Sequence, residues 1–231
     1  MVPPSAEYQP MKASTDGELI ERVLDCYYLN RNPNTRVLIT IAGGPGSGKT
    51  TITSALLKGI SSRFGPDFAV VISQDGFHYS RSELALLFDY HEAMRRRGAP
   101  YTFNSQKLVE LVKQLKCDRS KPIHAPTFDH KDKDPVEDSL IVNPSCEIVL
   151  LEGNYLHLEE QPWSEIATLS DEKWLVYTDP LQVRQRLIKR HIEAGITDKL
   201  EDAVKRVDSN DMVNGDYILS HSLKPDLIIE R

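Results

Sequence analysis

No stretch of the chain approaches the roughly 20 consecutive apolar residues that a membrane-spanning helix needs, so no membrane partner is expected. Cysteine is scarce. Cys26, Cys117 and Cys146 are the only three in 231 residues, and none stands in C-x-x-C spacing. That argues against a disulfide framework or a zinc site and points to reduced thiols in a cytoplasmic protein. A positive surplus is missing as well. Lys and Arg number 28 against 34 Asp and Glu, a net charge of −6, whereas a nucleic-acid surface needs a basic domain or stripe; no nucleic-acid partner is expected. Internal repeats and low-complexity tracts are absent. The opening residues, Met1-Val2-Pro3-Pro4-Ser5-Ala6, have no charged or apolar leader pattern and no arginine, so a secretory or mitochondrial signal is not expected. Residues 1–14 read as a disordered leader. The remainder, 15–231, suits a single domain with a small lid, and 40% hydrophobic residues are enough to bury a full core.

Against these absences stands one dense motif. Gly43-Gly44-Pro45-Gly46-Ser47-Gly48-Lys49-Thr50 is a complete G-x-x-x-x-G-K-[ST] loop. An apolar run, Val37–Ala42, enters it, and a helical pattern with Ile52, Ala55, Leu56, Gly59 and Ile60 on one face leaves it. Strand, glycine loop and helix together turn successive N–H groups inward, and the helix N-terminus adds partial positive charge. Residues Gly43–Thr51 are therefore expected to hold the phosphates of a nucleoside triphosphate, with Lys49 on the β- and γ-phosphates and the Thr50 hydroxyl on Mg²⁺.

Around the loop, strands and helices alternate. A helix is predicted over 17–30, strands at 37–42 and 68–72, and a helix from the Ser80-x-x-Glu83 capping pattern to about Arg95, with Leu84, Leu87, Phe88 and His91 on one side. A helix follows at 104–116, then a loop-rich stretch at 118–144 holding Pro122, Pro126, Pro135 and Pro144. Strands at 148–151 and 174–177, helices at 180–194 and 198–213, and a last strand at 226–229 complete the pattern. This predicts an α/β fold of the three-layer P-loop NTPase kind: a mostly parallel central sheet, helices on both faces and a small helical lid. Ligands in such sheets lie beyond the carboxyl ends of the strands, which is where Gly43–Thr50, Asp75, Glu152 and Asp179 fall.

Phosphoryl transfer to a hydroxyl needs a phosphate cradle, a metal, a carboxylate for the acceptor and cations for the moving charge. Asp75, directly after the second strand, is the candidate for the acceptor hydroxyl. Glu152, ending an apolar strand, is the candidate to hold Mg²⁺ through water, although the two carboxylates could exchange roles. Arg184, Arg186, Lys189 and Arg190 share a helix that reads either as a solvated basic face or as a lid over the phosphates, and spacing does not say which arginine reaches in. Arg95-Arg96-Arg97 reads as a complement to a helix C-terminus before Gly98, and Asp179 as an N-cap before Pro180. His78 and His130 stand near candidate aspartates and read equally well as site or structural histidines.

The segment Val70–His78, placed after this loop, resembles the uridine kinase, phosphoribulokinase and pantothenate kinase superfamily. Uridine kinases carry a similar Ser-Gln-Asp-x-Phe, and pantothenate kinases a similar Asp-Gly-Phe. Arg96–Asn104, Pro126–His130 with Lys133-Asp134-Pro135, Leu151–Leu156, Arg186–His191 and Asn210-Asp211-x-x-Asn214-Gly215 are similar to a fungal and bacterial kinase-like branch. The resemblance spans roughly residues 36–230. It implies Asp75 as the acceptor-hydroxyl base, Glu152 near the metal, Phe128, Asp129 and His130 in the acceptor pocket beside His78, and a lid at about 184–200 carrying Arg186 and Arg190. Asn104 stands where the branch has Asp, Lys133 where uridine kinases have a base-contacting His, and Gly76 and His78 replace a Ser and a Tyr.

The expected function is therefore transfer of the γ-phosphoryl group of MgATP to a hydroxyl of a small metabolite. A nucleoside is the first choice and a pantothenate-type acceptor the second. The competing class is a regulatory NTPase switch, but no Asn-Lys-x-Asp guanine-reading segment is present. ATP and Mg²⁺ are the implied cofactors and a small alcohol the implied partner; homo-oligomerisation stays open.

Overall fold

The computed structural model describes residues 15–87, 89–129 and 131–231; the leader at 1–14, Phe88 and His130 lie outside the described residues. Strand β1 (Val37–Ala42) sits at the centre of a five-stranded sheet, paired in parallel with β5 (Ile148–Gly153) and β6 (Glu172–Tyr177). Strands β2 (Ala69–Ser73) and β7 (Leu227–Glu230) complete the order β2-β5-β1-β6-β7, all parallel. Every residue of β1 and β5 is buried, as expected for strands covered on both faces.

Side-chain alternation along β1 divides the interior. Val37, Ile39 and Ile41 join a core with α1 (Asp16–Asn30) and α2 (Lys49–Phe64) through Leu19, Val23, Ile52, Leu56 and Ile60. Leu38 and Ala42 join a second core with α5 (Ser105–Cys117) and α6 (Trp163–Leu169) through Leu108, Val112, Trp163 and Ile166. Helix α1 starts on a capping box in which Thr15 Oγ1 accepts from Glu18 N and Glu18 accepts from Thr15 N, an arrangement worth about 1 kcal/mol.

Several expected elements change. The stretch read as loop, 118–144, holds an antiparallel hairpin of β3 (Ile123–Asp129) and β4 (Asp134–Val142). Pro126 and Pro135 hid it, because proline cannot donate to a ladder; Pro126 sits where the register shifts between Ala125 and Thr127. The helix expected from Ser80 to Arg95 is two, α3 (Arg81–Leu87) and α4 (Tyr90–Arg95). Asp89 accepts from Glu92 N at 2.8 Å and starts the second one, and Leu87 is exposed rather than on a core face. Helix α6 was not expected, its seven residues giving too short a period to detect. The last strand begins at Leu227, one residue later than expected. Helix α7 (Pro180–Glu193) starts as expected, Asp179 Oδ1 accepting from Leu181 N at 2.9 Å. The helix expected at 198–213 is α8 (Leu200–Arg206), which runs through one π-helical stretch, Val207–Asp211, into α9 (Met212–His221).

Candidate active site

The register brings the ends of three strands to one rim: Ala42 lies opposite Gly153, and Ser73 opposite Glu152. The glycine loop turns there. Gly46 and Gly48 hold φ of 74° and 96°, which costs any residue with a Cβ about 1–2 kcal/mol. A Cβ at Gly43 would come within 2.7 Å of Ser47 Oγ and the Val176 carbonyl oxygen, so the loop closes only on hydrogen at that position. Thr178 Oγ1 donates to Ser47 O at 2.9 Å and ties the loop to the end of β6.

Lys49 is the first residue of α2. Its ammonium donates to Gly43 O at 2.7 Å, Gly44 O at 3.0 Å and Asn154 Oδ1 at 2.9 Å. All three acceptors are neutral. Burial pushes the ammonium down from 10.5 to about 8, the carboxylates of Asp75 and Glu152 offsetting part of that. A desolvated cation with no ion-pair partner among the described residues suits a phosphate, as does Ser47 Oγ, buried and without a hydrogen-bond partner among them.

Glu152 is 7% exposed and accepts from Thr50 Oγ1 at 3.2 Å and Thr53 Oγ1 at 3.0 Å. A carboxylate against the loop threonine is a donor set of hard oxygens, which fits Mg²⁺ bound through few protein ligands. Asp75 lies on a 3₁₀ turn, Gln74–Phe77, directly after β2, where Ser73 Oγ accepts its N–H at 3.3 Å. Neighbours fix this turn from both sides. Gln74 Oε1 accepts from Tyr155 N at 3.0 Å, and a Cβ at Gly76 would collide with the Pro126 carbonyl of the hairpin.

A cavity of about 740 Å³ opens over the loop. Pro45, Gly46, Gly48, Lys49, Thr50 and Thr51 line it together with Asp75, Glu152, Arg186 and Arg190. Gly43, Gly44 and Ser47 stand behind this surface. Helix α7 supplies the two arginines at i and i+4, one face of a helix. Between them Leu187, 1% exposed, packs on the loop; a Cβ at Gly46 would meet its Cγ at 3.0 Å. Arg184 points elsewhere, donating to Asp208 at 2.6 and 2.9 Å, so the structure separates the arginines that spacing could not. Asn154, Ser73 and the Asp16–Arg231 ion pair also border the cavity and were not singled out from sequence. Asn154, two residues beyond Glu152 at a strand end, was within reach of the same positional rule.

The expected acceptor residues sit to one side of the loop. His78, Phe128 and Asp129 do not line this cavity. His78 packs on Phe103 at 3.9 Å, the rings tilted by 37°, and lies 5.0 Å from Phe128, ring centre to ring centre. Burial holds the His78 imidazole below its ordinary pKa and so neutral, against the pull of nearby Asp75. Asp129 Oδ1 accepts from Lys131 N at 2.7 Å and Asp132 N at 3.1 Å, which closes the hairpin turn. The Arg95–Arg97 run does not act as one helix-terminal complement: Arg95 pairs with Glu92, Arg97 with Asp134, and Arg96 reaches Asn214 and the Ser209 carbonyl. Asn104 caps α5, its Oδ1 accepting from Lys107 N at 3.0 Å.

Residues 38–231 match the model of the "Phosphoribulokinase / Uridine kinase family". The chain belongs to this family. As a member of the phosphoribulokinase/uridine kinase family it is a P-loop kinase that binds ATP, a phosphotransferase with a small-molecule substrate. A Schizosaccharomyces pombe protein, C227.14, named provisionally as a uridine kinase, is 38% identical over 196 residues, 85% of this chain and 83% of that one. An Aspergillus versicolor protein named ATP-dependent kinase-like protein notR′ is 40% identical over 152 residues, 64% of this chain and 88% of that one. Among solved structures, a Silicibacter sp. TM1040 protein named provisionally as a fructose transport system kinase superposes with a TM-score of 0.82 at 28% identity, covering 94% of this chain and 99% of that one. No helix among the described residues is long and apolar enough to cross a membrane.

Proposed function

We propose that this family member transfers the γ-phosphoryl group of MgATP to a hydroxyl of a small metabolite, a nucleoside first. One observation carries the reading: the carboxylate of Asp75 borders the same cavity as Lys49, Thr50, Glu152, Arg186 and Arg190. Lys49 and the loop N–H groups bind the phosphates, and Arg186 and Arg190 reach the moving group from α7. Asp75, fixed by Ser73 and the Gln74–Tyr155 bond, orients the acceptor hydroxyl and takes its proton. Thr50 and Glu152 are the residues that would hold Mg²⁺, which would supply charge neutralisation at the β- and γ-phosphates. The similarity of Ser73-Gln74-Asp75-x-Phe77 to uridine kinases, and the naming of the fission-yeast relative, support a nucleoside acceptor. A coupled ADP-release screen over nucleosides, pantothenate and sugars tests this. One nucleoside should raise ADP release well above the basal rate. Stimulation by pantothenate or a sugar alone would move the acceptor assignment, and stimulation by none of them would overturn it.

Two further outcomes follow from the site. Glu152→Gln should raise the Mg²⁺ concentration for half-maximal turnover about 10–100-fold, the usual cost of losing a carboxylate that supports a metal; a magnesium titration of initial rates reads it. Lys49 should make nucleotide binding pH-dependent. Its ammonium titrates at about 8 in the free protein, and bound phosphate favours the charged form and raises that value. MgADP affinity is then steady below pH 8 and falls above it, by up to about tenfold per pH unit. Calorimetry between pH 7 and 9.5 should show proton uptake on binding only at the alkaline end.

A further inference from the structure

A second cavity, of about 530 Å³, lies between Tyr79, the turn before α5, the start of α6 and one face of α9. It shares no lining residue with the phosphate cavity, and its size is that of a small-molecule site. Its walls are aromatic: Tyr79, Phe103, Trp163 and Tyr217. Two of them are held in place. Phe103 and Trp163 stand edge to face at 6.3 Å, and each packs on Tyr155 at 5.7 Å. The Tyr155 hydroxyl in turn donates to Gly98 O at 2.5 Å.

Among the polar side chains that line it, Arg96 and Asn214 stand side by side. Arg96 donates to Ser209 O at 2.9 Å and to Asn214 Oδ1 at 3.2 Å, both neutral. Its neighbours Arg95 and Arg97 each have a carboxylate, whereas no described carboxylate lies within ion-pair distance of Arg96. Asn214 is 2% exposed; with its oxygen committed to Arg96, its amide N–H groups make no hydrogen bond to any described residue. The half-buried Arg96 guanidinium, with only neutral acceptors in hydrogen-bond reach, and the Asn214 amide beside it form a donor pair that suits an anion. Glu160, the acid at the rim, is exposed and faces the Tyr217 hydroxyl instead.

We propose that this cavity binds a planar aromatic compound carrying one anionic group, its ring between the aromatic walls and its anion on Arg96 and Asn214, as a site separate from the phosphate cavity. Helix α9 also touches the back of the glycine loop: a Cβ at Gly44 would lie 3.4 Å from Gly215 Cα, the residue after Asn214. Binding here needs neither turnover nor a phosphoryl acceptor, so it can be tested apart from the kinase reading.

The probes are 2-naphthoate and its neutral counterpart 2-naphthamide, titrated by calorimetry into the full chain with and without saturating MgADP. Naphthoate should bind one to one, at least about tenfold more tightly than the amide, and should do so with MgADP bound. Arg96→Gln should abolish that difference while keeping the wild-type melting temperature and MgADP affinity, and Arg96→Lys should restore part of it. Absence of naphthoate binding at millimolar concentration, equal affinity for acid and amide, or mutual exclusion with MgADP would each overturn the assignment. The acid–amide comparison needs only the wild-type chain, so it holds even if the Arg96 variants fold poorly.

Discussion

Lys49→Ala should leave a folded protein whose phosphoryl transfer falls by about 10²–10³ or more, the cost of deleting a donor aimed at transition-state charge. The side chain does little for the fold. It makes three hydrogen bonds, to two loop carbonyls and Asn154, and its burial is a desolvation cost, visible in the depressed titration of the ammonium. Alanine at the first position of α2 is a good helix former. The melting temperature should therefore be unchanged or slightly raised. The coupled assay reads the loss, and turnover within a few-fold of wild type would remove the phosphate-cradle mechanism.

Asp75→Asn should cost about 10²–10⁴ in the rate of transfer, the range for losing a general base, while MgADP still binds. Asparagine keeps the shape but replaces an acceptor-only group with one that also donates. Among the described residues the turn is held by other groups: Ser73 Oγ takes the backbone N–H of Asp75, and Gln74 Oε1 accepts from Tyr155 N, two residues beyond β5. Retained nucleotide affinity with lost transfer marks an acceptor-side role. If nucleotide binding vanishes instead, Asp75 serves the metal, and Glu152 becomes the better candidate for the base.

The grouping of the glycine loop with Asp75 and Glu152 was legible in the sequence because it is local. Gly43–Thr50 carries its own geometry, and Asp75 and Glu152 follow apolar runs whose ends must meet in a parallel sheet. The arginines were legible only as a set: Arg184, Arg186 and Arg190 share α7, and tertiary packing of Leu187 on Gly46 turns the last two inward and leaves Arg184 to Asp208. The surroundings of His78 and Arg97 were not legible. Proline content masked the β3–β4 hairpin, and the contacts that decide the roles of His78 and Arg97 cross from one segment to another: His78 on Phe103 and Phe128, Arg97 on Asp134. Such long-range pairs leave no period in the chain. The cavity around Trp163 and Asn214 was hidden for the same reason, since its four walls come from distant segments.

The most direct test of the central claim follows the γ-phosphoryl group itself. ATP labelled with ¹⁸O on the γ-phosphate is incubated with Mg²⁺, the full chain and the nucleoside that most stimulates ADP release, and the products are read by mass spectrometry. A phosphoryl-transfer enzyme places the label in a phosphate monoester of that nucleoside, in step with ADP, and the Asp75→Asn variant does not. Label recovered only as inorganic phosphate, at a rate indifferent to any small alcohol and raised by a protein partner, would identify a hydrolytic switch and contradict the kinase account.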